Sequence, residues 1–299
     1  MNTLPHFMRL NLIHRFPATW VLVAALVLLS TSASQADKTD AAVIYGTRDG
    51  VPLIMDVFIP SKPNGAGILH IQSGGWYSPR KDPAQMIAGA KGLMAKGFTV
   101  FTIWHSNPPK YKVPDAVEDV RRAARFIHAN AARWGVDPNR LAAVGGSAGG
   151  HLALMLATTG DDGNASAKDL VERSSSRVAT AVAINPPSDL RGWTTAPPGA
   201  IAAVPALKAP LLFDASLEET CSPIVHVDAG DASIYLIHGS KDELVSVEYS
   251  KAMFAEMKSR KAPGDLFIME GAGHAVQPQY AVPMAVAMVN WLTKQLGVD

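Results

Sequence analysis

One cysteine, Cys221, stands in the 299 residues. That excludes an internal disulfide framework and any multi-cysteine metal or iron–sulfur site. A basic excess is also missing: 27 Lys and Arg face 26 Asp and Glu, a formal net charge of +1. Nothing is left over to displace counterions from phosphates, so nucleic acid is not an expected partner. No internal repeat, long charge run or low-complexity linker divides the chain. What is present is 48% hydrophobic and 18% charged residues, the composition of a packed globular core.

Residues 1–36 read as a signal peptide. Arg9, His14 and Arg15 give a positive start, Trp20 to Leu29 is uninterrupted apolar sequence, and Ser34-Gln35-Ala36 places small side chains at −3 and −1 of a cleavage after Ala36. The apolar run is about half of the ~20 residues that a spanning helix needs, so no stable membrane insertion is expected once the leader is removed. Losing Arg9 and Arg15 leaves 25 basic residues against 26 acidic ones. Export to a periplasmic or extracellular location also suits a chain with one thiol, which cannot mispair internally.

From Ala41 onward, short apolar runs alternate with helix-length segments. Val43-Ile44-Tyr45 and Leu53 to Phe58 flank Thr47-Arg48-Asp49-Gly50, and Asp-Gly between apolar runs predicts a hairpin. Gly67–Ile71, Phe98–Ile103, Leu141–Val144, Val178–Ile184, Ile234–Ile237 and Leu266–Met269 read as buried strands. A helix is expected to start at Asp115, with Glu118 completing a capping box, to bury Val117, Val120, Ala124 and Ile127, and to stop near Gly135. Continuously apolar strands alternating with amphipathic helices imply an α/β fold: a mostly parallel sheet covered on both faces, with an antiparallel N-terminal hairpin. Residues 37–299 read as one domain. Within it, 189–223 is proline-rich and aperiodic, and stands equally as a lid or as a plain surface excursion.

Leu141 to Val144 runs into Gly145-Gly146-Ser147-Ala148-Gly149-Gly150 and then a helical stretch. A serine on so tight a strand-to-helix turn needs flanking residues without Cβ atoms, and its hydroxyl stands clear above the sheet edge. The string fits a glycine-rich phosphate turn less well, because Ala148 breaks the dinucleotide pattern and no Gly-Lys-Ser/Thr follows. A serine nucleophile needs a base, and the base an orienting acid, in the chain order Ser, acid, His. His274, in Gly271-Ala272-Gly273-His274-Ala275, follows one strand, and Asp242, in His238-Gly239-Ser240-Lys241-Asp242, follows another. Both therefore lie at carboxyl ends of strands, on the same edge as Ser147. Glu243, Asp228 and Asp189 are rival acids. His151, one helical turn beyond Ser147, reads as a residue that packs or bonds locally, and His226 with Asp228 and Asp231 forms a faint metal-ligand pattern that a solvated loop explains better. Gly74 and Gly75, in Gln72-Ser73-Gly74-Gly75-Trp76, join Ala148 as candidate oxyanion-hole donors, each worth about 3–4 kcal/mol in a transition state. No cofactor or metal is implied.

Together these residues resemble the α/β-hydrolase superfamily, and within it carboxylesterases similar to hormone-sensitive lipase and the small acetyl or feruloyl esterases. The resemblance covers nearly all of 37–299. It rests on the Gly145–Gly150 elbow, on Trp104-His105-Ser106 leading to Pro114–Val120, on Asp242 and His274, and on Gly74-Gly75-Trp76. Three departures stand out. Gln72-Ser73 replaces the usual His-Gly, Trp104-His105 replaces the usual Tyr-Arg that would pair with Asp119, and no large amino-terminal cap precedes the first strand. A small or minimal cap implies an open pocket suited to short acyl groups, on small-molecule or polysaccharide-linked esters. The resemblance therefore implies a secreted serine carboxylesterase. A peptidase of the prolyl oligopeptidase type, which lacks its propeller-sized partner here, and a non-catalytic binding protein on the same fold are the other readings.

Overall fold

The computed structural model describes residues 36–298. The expected leader, residues 1–36, lies outside the described residues apart from Ala36.

Among the described residues, eight strands form one sheet in the order β1-β2-β4-β3-β5-β6-β7-β8. They are β1 (Lys38–Arg48), β2 (Val51–Ile59), β3 (Gly67–Ile71), β4 (Thr99–Trp104), β5 (Leu141–Gly146), β6 (Thr180–Ile184), β7 (Ser233–Gly239) and β8 (Gly264–Met269). Only β2 runs antiparallel to its neighbours β1 and β4; every pairing from β4 across to β8 is parallel. The β1–β2 turn is the expected Asp-Gly pair, with φ of 49° at Asp49 and 78° at Gly50, both left-handed as the twist of a tight hairpin demands.

The longer helices are α1 (Pro83–Met94), α2 (Val113–Asn130) and α3 (Ala148–Thr159). After the short α4 (Gly199–Ala202) and α5 (Pro205–Lys208) come α6 (Glu248–Arg260) and α7 (Pro278–Leu296). Strand side chains alternate between two cores. Leu69, Ile71, Phe101, Ile103 and Ala143 pack with α2, α3 and α6 on one face. Ile68, Val100, Ala142, Val144 and Ile237 pack with α1 and α7 on the other. Burial on both faces is why these strands read as unbroken apolar runs.

Helix α2 begins two residues before the expected Asp115. Pro114 sits in its first turn, where a missing N–H costs nothing, and the Asp115 carboxylate reaches back to accept from Lys112 N–H at 2.8 Å. Glu118 instead pairs with Arg121 at 2.6 Å. The helix ends at Asn130, and a 3-10 turn carries the chain to Gly135, whose φ of 64° closes it.

The excursion at 189–223 is packed rather than loose. Leu190, Trp193, Ile201, Leu211 and Cys221 are buried, and the Glu218 carboxylate accepts from the Gly192 and Thr194 amides at 2.6 and 2.8 Å.

The position of the site follows from the strand order. The chain moves from β3 outward to β4, then returns to the other side of β3 as β5. Such a reversal leaves a crevice above the carboxyl ends of the two central strands, and the Gln72–Gly75 and Ser147 loops both leave from there.

Candidate active site

Ser147 joins β5 to α3 at φ 51° and ψ −123°, a left-handed φ that L-residues adopt only when their surroundings enforce it. The enforcement is backbone packing. A Cβ on Gly145 would run into the backbone of Gly149, and one on Gly149 would lie 2.5 Å from the Ile71 carbonyl oxygen at the end of β3. The Ser147 N–H donates to Ile184 O at 2.7 Å, which ties the elbow to β6.

His274 lies in the loop after β8, with Nε2 2.9 Å from Ser147 Oγ and Nδ1 2.8 Å from Asp242 Oδ2. If Nδ1–H donates to the carboxylate, the Nε2 lone pair faces the serine hydroxyl. The Asp242 side chain is wholly shielded from solvent, whereas that of His274 is 16% exposed. Asp242 is held by the turn after β7, its Oδ1 accepting from the Leu244 and Val245 amides at 2.9 and 2.8 Å. Burial alone would raise its carboxyl, but hydrogen bonds from His238, His274 and Val245 outweigh that and hold it well below the usual carboxylate range.

The loop after β3 brings Gly74, Gly75 and Trp76 to φ of 96°, 63° and 59°. Among the described residues, no hydrogen bond uses the N–H of Gly74, Gly75 or Ala148; that of Ala148 is free because it opens a helix. The excursion reaches this loop, because Leu207 of α5 lies where a Cβ on Gly75 would go.

The other candidates separate cleanly. Glu243 accepts from the His274 backbone N–H at 3.1 Å and so shapes the loop rather than the imidazole. Asp189 pairs with Arg191 at 2.6 Å, and Asp228 accepts from the Gly230 amide within its own turn. His226 Nε2 donates to Thr220 O at 3.1 Å, and among the described residues no three His, Cys, Asp or Glu side chains are grouped to hold a metal. The partner of Asp119 is Arg48 of β1, at 2.8 Å from Nε, together with the Ser106 amide at 2.8 Å. His105 instead donates Nδ1–H to Ser106 O at 2.8 Å. Trp104 donates to the buried Asp56 at 2.9 Å.

Residues 55–257, more than half of the chain, match the model of the family described as BD-FAE. The chain belongs to the BD-FAE family. It is 30% identical over 243 residues to the esterase LipC of Mycobacterium tuberculosis, covering 78% of this chain and 58% of LipC. It spans between about two fifths and three fifths of the length of LipC and two further curated relatives from that organism. Among solved structures, a truncated carbohydrate esterase from gut microbiota superposes with a TM-score of 0.70 at 23% identity, covering 89% of this chain and 99% of that one. An acetyl ester-xyloside bifunctional hydrolase from Caldicellulosiruptor lactoaceticus gives a TM-score of 0.70 at 23% identity, covering 90% and 99%. The BD-FAE chain thus has the α/β-hydrolase fold of the carboxylesterases similar to hormone-sensitive lipase.

Three side chains around the BD-FAE site have partners that the sequence does not announce. His238, fully buried in β7, presents Nε2 to Asp242 Oδ2 at 3.3 Å and to Val245 O at 2.9 Å, so a second imidazole leans on the acid. Ser250 Oγ holds its other nitrogen at 2.7 Å. Asn185, at φ 49° just past β6, donates to His274 O at 2.9 Å and accepts from Gly239 N–H at 2.9 Å, joining the two loops. His151 is the third. The only sequence signal was a polar residue in an apolar run, with nothing to say what it faces.

Proposed function

We propose that this BD-FAE protein is an exported serine carboxylesterase that hydrolyses short-chain acyl esters, including esters carried on carbohydrates. The observation that carries the reading is His274 standing between Ser147 at 2.9 Å and Asp242 at 2.8 Å. In this mechanism Ser147 Oγ attacks the ester carbonyl carbon while His274 Nε2 takes the hydroxyl proton, and Asp242 stabilises the imidazolium. The carbonyl oxygen becomes an oxyanion facing the N–H groups of Gly74, Gly75 and Ala148, at the positive end of α3. Collapse breaks the C–O bond, and His274 returns its proton to the departing alcohol. Water, deprotonated by the same imidazole, then cleaves the acyl-enzyme and regenerates the Ser147 hydroxyl.

The carbohydrate reading draws on the carbohydrate esterase and the acetyl ester-xyloside hydrolase that share the fold. Export draws on the leader at 1–36, and N-terminal sequencing of the secreted protein is expected to start at or near Asp37.

The deciding experiment follows p-nitrophenyl acetate hydrolysis by Ser147→Ala and Asp242→Asn proteins whose circular dichroism matches the parent. Ser147→Ala is expected to abolish turnover, and Asp242→Asn to lower kcat on the order of 10^3–10^4-fold, because an amide cannot hold the imidazole in its working tautomer. Unchanged turnover in Ser147→Ala would end the reading. A panel of acetyl, butyryl, feruloyl and longer esters then ranks the acyl group, with acetyl and butyryl expected ahead of long chains.

A further inference from the structure

His151 lies one turn beyond Ser147 on α3, wholly shielded from solvent. Both of its ring nitrogens are engaged. The Trp76 indole N–H donates to Nδ1 at 3.2 Å, and Nε2 lies 2.7 Å from the Cys221 carbonyl oxygen. An indole nitrogen only donates, so Nδ1 has to accept and the single proton sits on Nε2, where the carbonyl takes it. The two rings meet edge to face, with centroids 5.4 Å apart at 79°. Burial pushes the imidazole down to about 4, partly offset by the bond to Cys221 O, so at neutral pH it is an uncharged connector with fixed polarity.

What it connects matters more than what it buries. Trp76 closes the Gly74-Gly75-Trp76 run of left-handed residues, and a tryptophan in that region costs about 1–2 kcal/mol unless something holds it there. The backbone offers the turn one hydrogen bond of its own, Tyr77 N–H to Gly74 O at 3.2 Å. The indole, 3% exposed and anchored on His151, is the other fixture. Cys221, at the far side of the ring, belongs to the excursion whose Leu207 lies over Gly75. One imidazole therefore joins the nucleophile helix, the glycine loop and the excursion. A plain core position would be filled as well by phenylalanine, since a satisfied buried hydrogen bond adds only about 1 kcal/mol of net stability.

We propose that His151 is a positioning residue for ester hydrolysis: acting through Trp76, it fixes the Gly74–Gly75 turn so that its amides face the oxyanion formed at Ser147. The inference rests on the serine esterase reading above. Oxyanion donors stabilise the transition state more than the bound ester, and small displacements of such groups are expensive. Loss of the anchor therefore lowers kcat and leaves KM nearly unchanged.

The test uses His151→Phe, which keeps the bulk and removes both hydrogen bonds, and Trp76→Phe, which removes the indole N–H together with part of the buried ring. His151→Asn adds a variant whose side-chain oxygen can still accept from Trp76. Each is measured for kcat and KM on p-nitrophenyl acetate, for inhibition by phenylboronic acid, which forms a tetrahedral adduct on serine, and for end-point fluorophosphonate labelling. For His151→Phe and Trp76→Phe, kcat is expected to fall about 10–100-fold with KM within about twofold. Boronate affinity should weaken in proportion to kcat, and labelling should remain at one serine per chain. His151→Asn is expected to stay within about threefold of the parent kcat. Parent-like kcat in folded His151→Phe or Trp76→Phe overturns the inference, as does a kcat loss that tracks lost labelling or leaves boronate affinity intact. If His151→Phe does not fold, Trp76→Phe decides alone. Full activity or absent labelling in the controls, Ser147→Ala and the parent respectively, would strike the esterase reading itself and not merely the role of His151.

Discussion

Two glycine-containing loops meet at the same edge of the sheet and are held by different means. In the elbow around Ser147, backbone packs on backbone: Gly145 lies against Gly149, and Gly149 against the end of β3. The loop at Gly74–Trp76 meets its own backbone between Gly74 and Tyr77, where Tyr77 N–H donates to Gly74 O at 3.2 Å and the Tyr77 carbonyl lies against Gly74. Beyond that it is held by side chains from elsewhere, Leu207 over Gly75 and His151 under Trp76. The elbow thus depends on six consecutive residues packed against main-chain atoms of the neighbouring strands, whereas the second loop depends on side chains brought in from α3 and the excursion. A catalytic serine has to be held without play, and backbone contact does that. A loop held by side chains can be retuned by substitutions far from it in sequence.

The largest effect that tests this contrast is expected at Gly149. Alanine there places a Cβ 2.5 Å from Ile71 O, and neither backbone can move without disturbing the central strands. Gly149→Ala should lose about 3 kcal/mol of stability, near the upper end of ordinary overpacking. For a domain of this size that is a fall of roughly 6–12 °C in Tm by calorimetry. No side-chain truncation should rescue it. A parent-like melting temperature would mean that the elbow has slack and that the contrast is false.

Gly75→Ala is the matching substitution in the other loop, and the expected cost is smaller. A left-handed φ of 63° costs alanine about 1–2 kcal/mol, and the added methyl meets only the flexible end of Leu207. Combining it with Leu207→Ala should recover about 1 kcal/mol relative to the sum of the single changes, a coupling expected of residues in contact. Strict additivity across that double-mutant cycle would remove Leu207 from the account.

The same division explains what could be read from the chain alone. Strand β3 was legible because burial on both faces leaves it apolar at all positions but His70, and the hairpin because Asp49-Gly50 admits few other conformations. Ser147, Asp242 and His274 could be named from chain order, since each follows a strand and parallel strands deliver their ends to one edge. Illegible features depend on partners distant in sequence. Arg48 replaces the expected partner of Asp119 because β1 lies across from the start of α2, which no local pattern announces. His238 precedes the acid and so does not fit the order Ser, acid, His, yet its place at the end of β7 points it at Asp242. Helix α2 was placed two residues late because Asp115 looks like a first residue when it is the acid that reaches back to the cap.

The smallest expected effect separates the loops by pH. The elbow has no titratable fixture, whereas the Gly74–Trp76 loop is anchored on an imidazole that stays neutral in the folded chain down to about 4, against an ordinary value of 6.5. Between those two values the unfolded chain binds a proton at this histidine and the folded chain does not, so its contribution to stability falls as pH drops from 6.5 towards 4. From pH 7 to pH 5.5 the loss amounts to about 1 kcal/mol. Phenylalanine at 151 cannot take the proton, so in denaturant titrations the parent should lose about 1 kcal/mol relative to His151→Phe over this interval, which narrows the gap if the parent is the more stable at pH 7 and widens it if the variant is. A gap that stays constant with pH would mean that the imidazole is open to protonation in the folded protein, and the loop would then need a different anchor. Because folded His151 remains neutral throughout this interval, the variant's kcat should lie below the parent's by a constant factor from pH 7 to 5.5. A factor that shrinks towards pH 5.5 would show instead that acid releases the Trp76 anchor in the working enzyme.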